Sequence, residues 1–280
     1  MKPGYRPEID GLRAIAVLAV LVFHAGLSNE GKQLLSGGYL GVDVFFVISG
    51  YLIARLIFSE LEQGDFSLAK FYERRARRIL PALYVVLLAC LIPAWLWLDQ
   101  VQLEEFGWGL GAVSLFVANI LFWTRTGYFS GGAELNPLLH TWSLAVEEQF
   151  YMVFPLLVIV LWRVAKAWIP WLLAGLLLAS LAAAVWLSET DPSAAFYLAH
   201  TRAWEILAGV MIALWLAADS RPRWWWMQAF LPAVGLMLIA TSMVVMDKQS
   251  RVPGVAALLP VSGTVLVLVF GGGGDFASRM

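Results

Sequence analysis

Residues 71–98, FYERRARRILPALYVVLLACLIPAWLWL, decide the fold. Four arginines, Arg74, Arg75, Arg77 and Arg78, stand directly before Ile79 to Leu98, a run without a charge. A hydrocarbon core about 30 Å thick takes about 20 apolar residues of helix, so the run reads as a membrane span. Its basic flank is the pattern found on the cytoplasmic side of membrane proteins.

Working outward, four more charge-free runs of similar length follow: Phe106 to Trp123, Ile169 to Leu187, Met227 to Met246 and Pro253 to Phe270. Four others span only if charged or titratable groups enter the bilayer, which costs several kcal/mol unless those groups face the bundle interior. Ile9 to Ser28 carries Asp10, Arg13 and His24, and Tyr39 to Phe58 carries Asp43 and Arg55. Phe150 to Trp162 must borrow Glu147 and Glu148 or Arg163 and Lys166, and Ile206 to Ala218 must borrow Arg202 and Glu205. The expected fold is an all-α polytopic transmembrane bundle of about nine spans, one domain over residues 1–280.

The 280 residues are 60% hydrophobic and 14% charged, with mean hydropathy +0.75, and a soluble domain of that composition could not cover its surface with polar groups. Net charge is −1, so no basic face for nucleic acid is expected. The single cysteine, Cys90, excludes an intramolecular disulfide and a Cys-rich metal site. No small-residue cleavage site follows the first apolar stretch, which is read as a retained helix.

Lys2, Arg6 and Arg13 at the first helix, and Lys70 to Arg78 after the second, place the N-terminus in the cytoplasm. Counting spans onward sends Arg163, Lys166, Arg221 and Arg223 to the opposite face, against the rule. One crossing more or fewer between Trp123 and Phe150 returns them, so a re-entrant or extra segment is expected there.

Arg13 and His24 are eleven residues apart, which leaves them about 20° apart around a helix and ~16 Å apart along it. One face therefore carries a guanidinium near the inner surface and an imidazole toward the outer end, a geometry that suits a long, phosphate-headed donor. Taken singly, the two would be an anchor and a polar interhelical contact. Asp43, a few residues inside the next helix, is expected near the depth of His24, where a carboxylate on one ring nitrogen would leave the other as a general base. Its bland alternative is a favourable charge at a helix N-terminus. Arg75 and Arg78 belong to a cluster that is either a topology anchor or a phosphate site. Of the adjacent carboxylates Glu147 and Glu148, only one can face a core, and Glu147 is the expected one, as an acid, base or pairing partner. Arg202 and Glu205, spaced i,i+3, form a structural pair. No phosphate-binding loop, zinc-helix or nucleophile-elbow motif occurs.

These segments, with Ile9 through His24, Gly37 through Tyr51, Phe71 through Pro81, His140 through Tyr151 and Thr201 through Gly209 in order, resemble the acyltransferase-3 family of membrane O-acyltransferases. The resemblance implies acetyl-CoA or another acyl-CoA as cytoplasmic donor and no metal. The acceptor it implies is a hydroxyl of an envelope glycan on the outer face of a bacterial inner membrane, such as lipopolysaccharide or peptidoglycan. It also implies that His24 is catalytic and that Arg13, Arg75 and Arg78 bind the donor; from the residues themselves, a carboxylate such as Asp43 or Glu147 is expected to orient His24. Family members normally continue into further helices, often followed by an extracytoplasmic SGNH-type domain; neither follows Met280 in this sequence. A transporter or flippase, or an inactive truncated scaffold, are the rival expectations.

Overall fold

In the computed structural model, residues 6–29, 32–125, 136–218, 225–247 and 250–271 are described, and almost all are helical. The exception to helix and turn is a two-residue antiparallel pairing of Ser28–Asn29 with Lys32–Gln33. Five helical segments are long and apolar enough to cross a membrane: Gly38–Glu62, Leu68–Trp97, Thr141–Val164, Lys166–Thr190 and Trp226–Val245. This is a helical membrane protein. The chain falls into two compact units, one of residues 1–56, 167–196 and 200–280, the other of residues 57–166 and 197–199.

The first unit holds α1 (Pro7–His24), most of α2 (Gly41–Glu62), α7 (Ile169–Thr190), α9 (Ala199–Ala217), α10 (Trp225–Val245) and α11 (Leu258–Phe270). Ile9, Leu12, Ala16 and Ala19 are the buried stripe of α1, the i, i+3, i+4 spacing of a one-sided helix. A short 3-10 turn, Gly38–Leu40, leads into α2. Gly38 lies on the Ala19 carbonyl and Gly41 on the Ala16 carbonyl, so α2 descends antiparallel to α1. Gly50 and Gly209 let α2 and α9 touch backbone to backbone: a methyl on Gly50 would collide with the Ile206 carbonyl, and one on Gly209 with the Val47 carbonyl. Such small-residue contacts replace the hydrophobic driving force that lipid does not supply.

Helix directions in this unit resolve the conflict in the charge pattern. Asp43 meets Arg202 and Val47 meets Gly209, so α9 runs with α2. Arg6 reaches the carbonyl of Leu268, which puts the end of α11 beside the start of α1. Ser188 packs on Gly254 at the opposite end, so α7 ascends with α1. α7, which follows Arg163 and Lys166 in the sequence, therefore begins on the side where α1 starts, the side the positive-inside rule asks of those cations. Arg221 and Arg223 fall outside the described residues, but α9 before them ends on that same side.

The second unit holds the last turns of α2 with α3 (Leu68–Trp97), α4 (Gln100–Ser114), α5 (Ala118–Arg125) and α6 (Thr141–Val164). Asp99 and Gln102 exchange the reciprocal bonds of a capping box at the start of α4. The expected span Phe106 to Trp123 is not continuous. Phe116 adopts a left-handed φ of 55° and divides it into α4 and the eight-residue α5. A break at membrane depth persists only where the freed backbone groups find partners. Here Gln149 of α6 donates to the Phe116 carbonyl and to Asn119 Oδ1, each at 2.8 Å, and fully buried Asn119 donates to the Tyr197 carbonyl at 3.1 Å. The irregular stretch expected between Trp123 and Phe150 thus begins earlier, at Phe116; residues 126–135 lie outside the described residues. The short spans are completed by upstream charges, α6 enclosing Glu147 and Glu148 and α9 enclosing Arg202 and Glu205.

Candidate active site

His24 is the last residue of α1 and is exposed. Its Nδ1 lies 2.9 Å from the Val20 carbonyl one turn earlier. A carbonyl only accepts, so in the neutral ring the proton sits on Nδ1 and the lone pair on Nε2. The edge of Phe23 stands against the imidazole, with ring centroids 5.1 Å apart at 86°, and Phe23 in turn meets Tyr39 at 5.4 Å. Tyr39 is fixed from the other side by a 2.8 Å bond to the Asp247 carbonyl. Three aromatic rings therefore brace the end of α1. Sequence reasoning missed Phe23 and Tyr39, although their places beside His24 and in the glycine-rich turn before α2 were visible.

Arg13 shares the flank of α1 with His24, beside the buried stripe. Its side chain is 33% exposed and its guanidinium is 3.9 Å from Asp10. That loose i,i+3 pair leaves most of its donors available to another acceptor.

Asp43 does not orient His24. Gly41 sits at the level of Ala16, so Asp43 lies roughly 12 Å or more of helix rise below the imidazole. It is instead fully buried with Arg202 and Glu205. Arg202 Nη1 donates to Asp43 Oδ1 at 3.1 Å and to Glu205 Oε1 at 2.7 Å, while its Nε donates to the Phe196 carbonyl at 3.1 Å. The expected Arg202–Glu205 pair is present, and Asp43 makes it a triad that ties α2 to α9. One guanidinium serves two carboxylates, whose Oδ2 and Oε2 are buried without a hydrogen-bond partner among the described residues.

In the second unit the carboxylate turned inward is Glu148, 7% exposed, rather than Glu147. Tyr151 donates to Glu147 Oε1 at 2.5 Å. Glu148 Oε1 accepts from Arg75 Nη2 at 2.6 Å, and the Arg75 guanidinium lies 3.5 Å over the Tyr151 ring. Tyr72, Arg75, Phe116, Glu148, Tyr151 and Met152 help line a small pocket of about 170 Å³. Arg75 is thus held by protein groups, whereas Arg78 is exposed. The pairing across 73 residues has no local signal; only the adjacency of Glu147 and Glu148 marked the place.

The model of the acyltransferase domain family, Acyl_transf_3, matches residues 6–274. The chain is 36% identical over 217 residues to the peptidoglycan O-acetyltransferase OatA of Listeria monocytogenes, covering 75% of this chain and 34% of that protein. It is 38% identical over 220 residues to the putative O-acetyltransferase SAS0844 of Staphylococcus aureus, covering 76% and 35%. Over 157 residues it is 37% identical to the O-acetyltransferase OatA of Staphylococcus aureus, covering 56% and 25%. It spans about a third of the length of the first two. No solved structure matches. With the family model running through both units and nearly the whole chain, this membrane protein belongs to the acyltransferase-3 family.

Proposed function

We propose that the chain transfers an acyl group, most simply acetyl, from acyl-CoA to a hydroxyl of an envelope glycan such as peptidoglycan. The observation that carries the reading is the exposed His24 with Nδ1 committed to Val20 and Nε2 left as a base. O-acetyltransferase relatives in two bacteria support the reaction class. We place the chain in the bacterial inner membrane, with the start of α1 and the basic start of α3 in the cytoplasm and His24 at the outer end.

In this reading Arg13 meets phosphate oxygens of the donor; exposed Arg78 is a second candidate for such a contact, and Arg75 is held in position by Glu148 and Tyr151. The interval from Arg13 to His24, ~16 Å along the helix, spans the arm between phosphates and thioester. His24 Nε2 takes the proton of the acceptor hydroxyl as its oxygen attacks the acyl carbonyl, and the CoA sulfur leaves and recovers that proton. The same nitrogen can instead attack the acyl carbonyl itself, expelling the CoA thiolate, and pass the acyl group to the hydroxyl, whose proton goes to that thiolate. An SGNH-type domain is the partner proposed for completing transfer outside.

The test is His24→Ala in membranes at unchanged abundance. Loss of glycan O-acetylation and of CoA release is expected; retained O-acetylation refutes both routes.

A further inference from the structure

The cytoplasmic-side end of the first unit holds a second group of cations. Arg6, with a side chain 9% exposed, spends all three of its nitrogens on protein groups. Nε meets Glu8, Nη1 donates to the Tyr51 hydroxyl and Nη2 to the Leu268 carbonyl, each at 2.5 Å. Its charge is balanced by Glu8. Arg55, one turn beyond Tyr51 on α2 and half-buried, approaches the same phenol oxygen with Nη1 at 3.4 Å. Among the described residues it has no carboxylate within ion-pair distance.

Two guanidiniums thus converge on one hydroxyl with a single carboxylate between them. Arginine offers five N–H donors in a planar fork, and Arg55 uses one, at a long distance. Side chains lean toward the N-terminus of their helix, so Arg55 reaches back along α2 toward Tyr51. An uncompensated cation held there calls for an anion with several oxygens.

We propose that Arg55, backed by Tyr51 and the fixed charge of Arg6, binds a phosphate ester at this end of the unit. The ester belongs either to the donor or to a phospholipid headgroup. In its donor form the proposal rests on the acyl-CoA reading above and adds a contact beyond Arg13, farther from His24.

Wild type and Arg55→Gln in phosphatidylcholine nanodiscs are titrated with CoA and with 3′-dephospho-CoA, and phosphatidylglycerol retained by each protein is counted by native mass spectrometry. Loss of one charged fork should cost about ten-fold in affinity, and Arg55→Lys should recover part of it. If CoA binding falls and 3′-dephospho-CoA binding does not, the site holds the monophosphate; if both fall, it holds the diphosphate. Unchanged nucleotide binding with loss of phosphatidylglycerol identifies a headgroup site. No change in any of the three overturns the proposal, as does an equal loss in Arg163→Gln, which removes a cation elsewhere in the chain. Wild type that binds neither nucleotide would sink the donor reading while the lipid count still decides the anion site.

Discussion

Removing the guanidinium of Arg202 should unfold this protein more readily than any other single charge deletion in the first unit. Arg202 is 1% exposed and sits 3.1 Å from Asp43 and 2.7 Å from Glu205, both 0% exposed. At an effective dielectric of 20, each contact is about 5–6 kcal/mol of gross attraction, most of it offset by desolvation of the ions. Breaking a buried pair by deleting one partner costs about 3–5 kcal/mol, because the remaining charge is left uncompensated, and Arg202→Met strands two. Glu205→Gln should cost only about 1–3 kcal/mol, since one guanidinium then faces one carboxylate and the amide oxygen still accepts. Equilibrium unfolding in mixed micelles of increasing SDS fraction, followed by tryptophan fluorescence, measures both. The reasoning is refuted if Arg202→Met lies within about 1 kcal/mol of wild type, or if Glu205→Gln is as damaging.

Gly209→Ala, whose methyl would meet the Val47 backbone, a group with no room to give, should destabilise by about 1–3 kcal/mol in the same titration, whereas Gly175→Ala on open helix surface should be neutral. Asn119→Leu leaves the Tyr197 carbonyl and Gln149 short of partners at a cost of about 1–3 kcal/mol, with earlier proteolysis near the α4–α5 break as a second readout. Arg75→Lys cannot both reach Glu148 and lie flat over Tyr151; weaker donor binding is expected, and unchanged binding would show that the stacked fork is dispensable. In a Cys90→Ser background, Ala167→Cys should be labelled by an impermeant maleimide from the same side as Ala218→Cys and from the side opposite to Arg251→Cys; any other pattern contradicts the helix directions of the first unit.

Much of this arrangement was legible in the residues. Length and apolar content alone located the helices around Ile79–Leu98, Ile169–Leu187 and Met227–Met246, because the bilayer sets one scale for all of them. Periodicity likewise put Arg13 and His24 on one flank of α1, and i,i+3 spacing gave Arg202–Glu205. Long-range partners carried no such signal. Asp43 meets Arg202 across 159 residues, a choice made by the glycine contacts of α2 with α9 rather than by any local pattern. Glu147 and Glu148 differ by a single step of helix phase, and only the packing of α6 decided that Glu148 turns inward. The break at Phe116 has neither proline nor glycine at the left-handed residue; its warrant lies in Asn119 and Gln149, thirty residues apart.

The bond from Arg6 to the Leu268 carbonyl joins residues 262 positions apart. On a ribosome adding about 5–20 residues per second, Arg6 waits roughly 13–50 s for that acceptor, with Tyr51 and Glu8 already beside it. Insertion of α11 is therefore the event that completes the basic corner of the first unit.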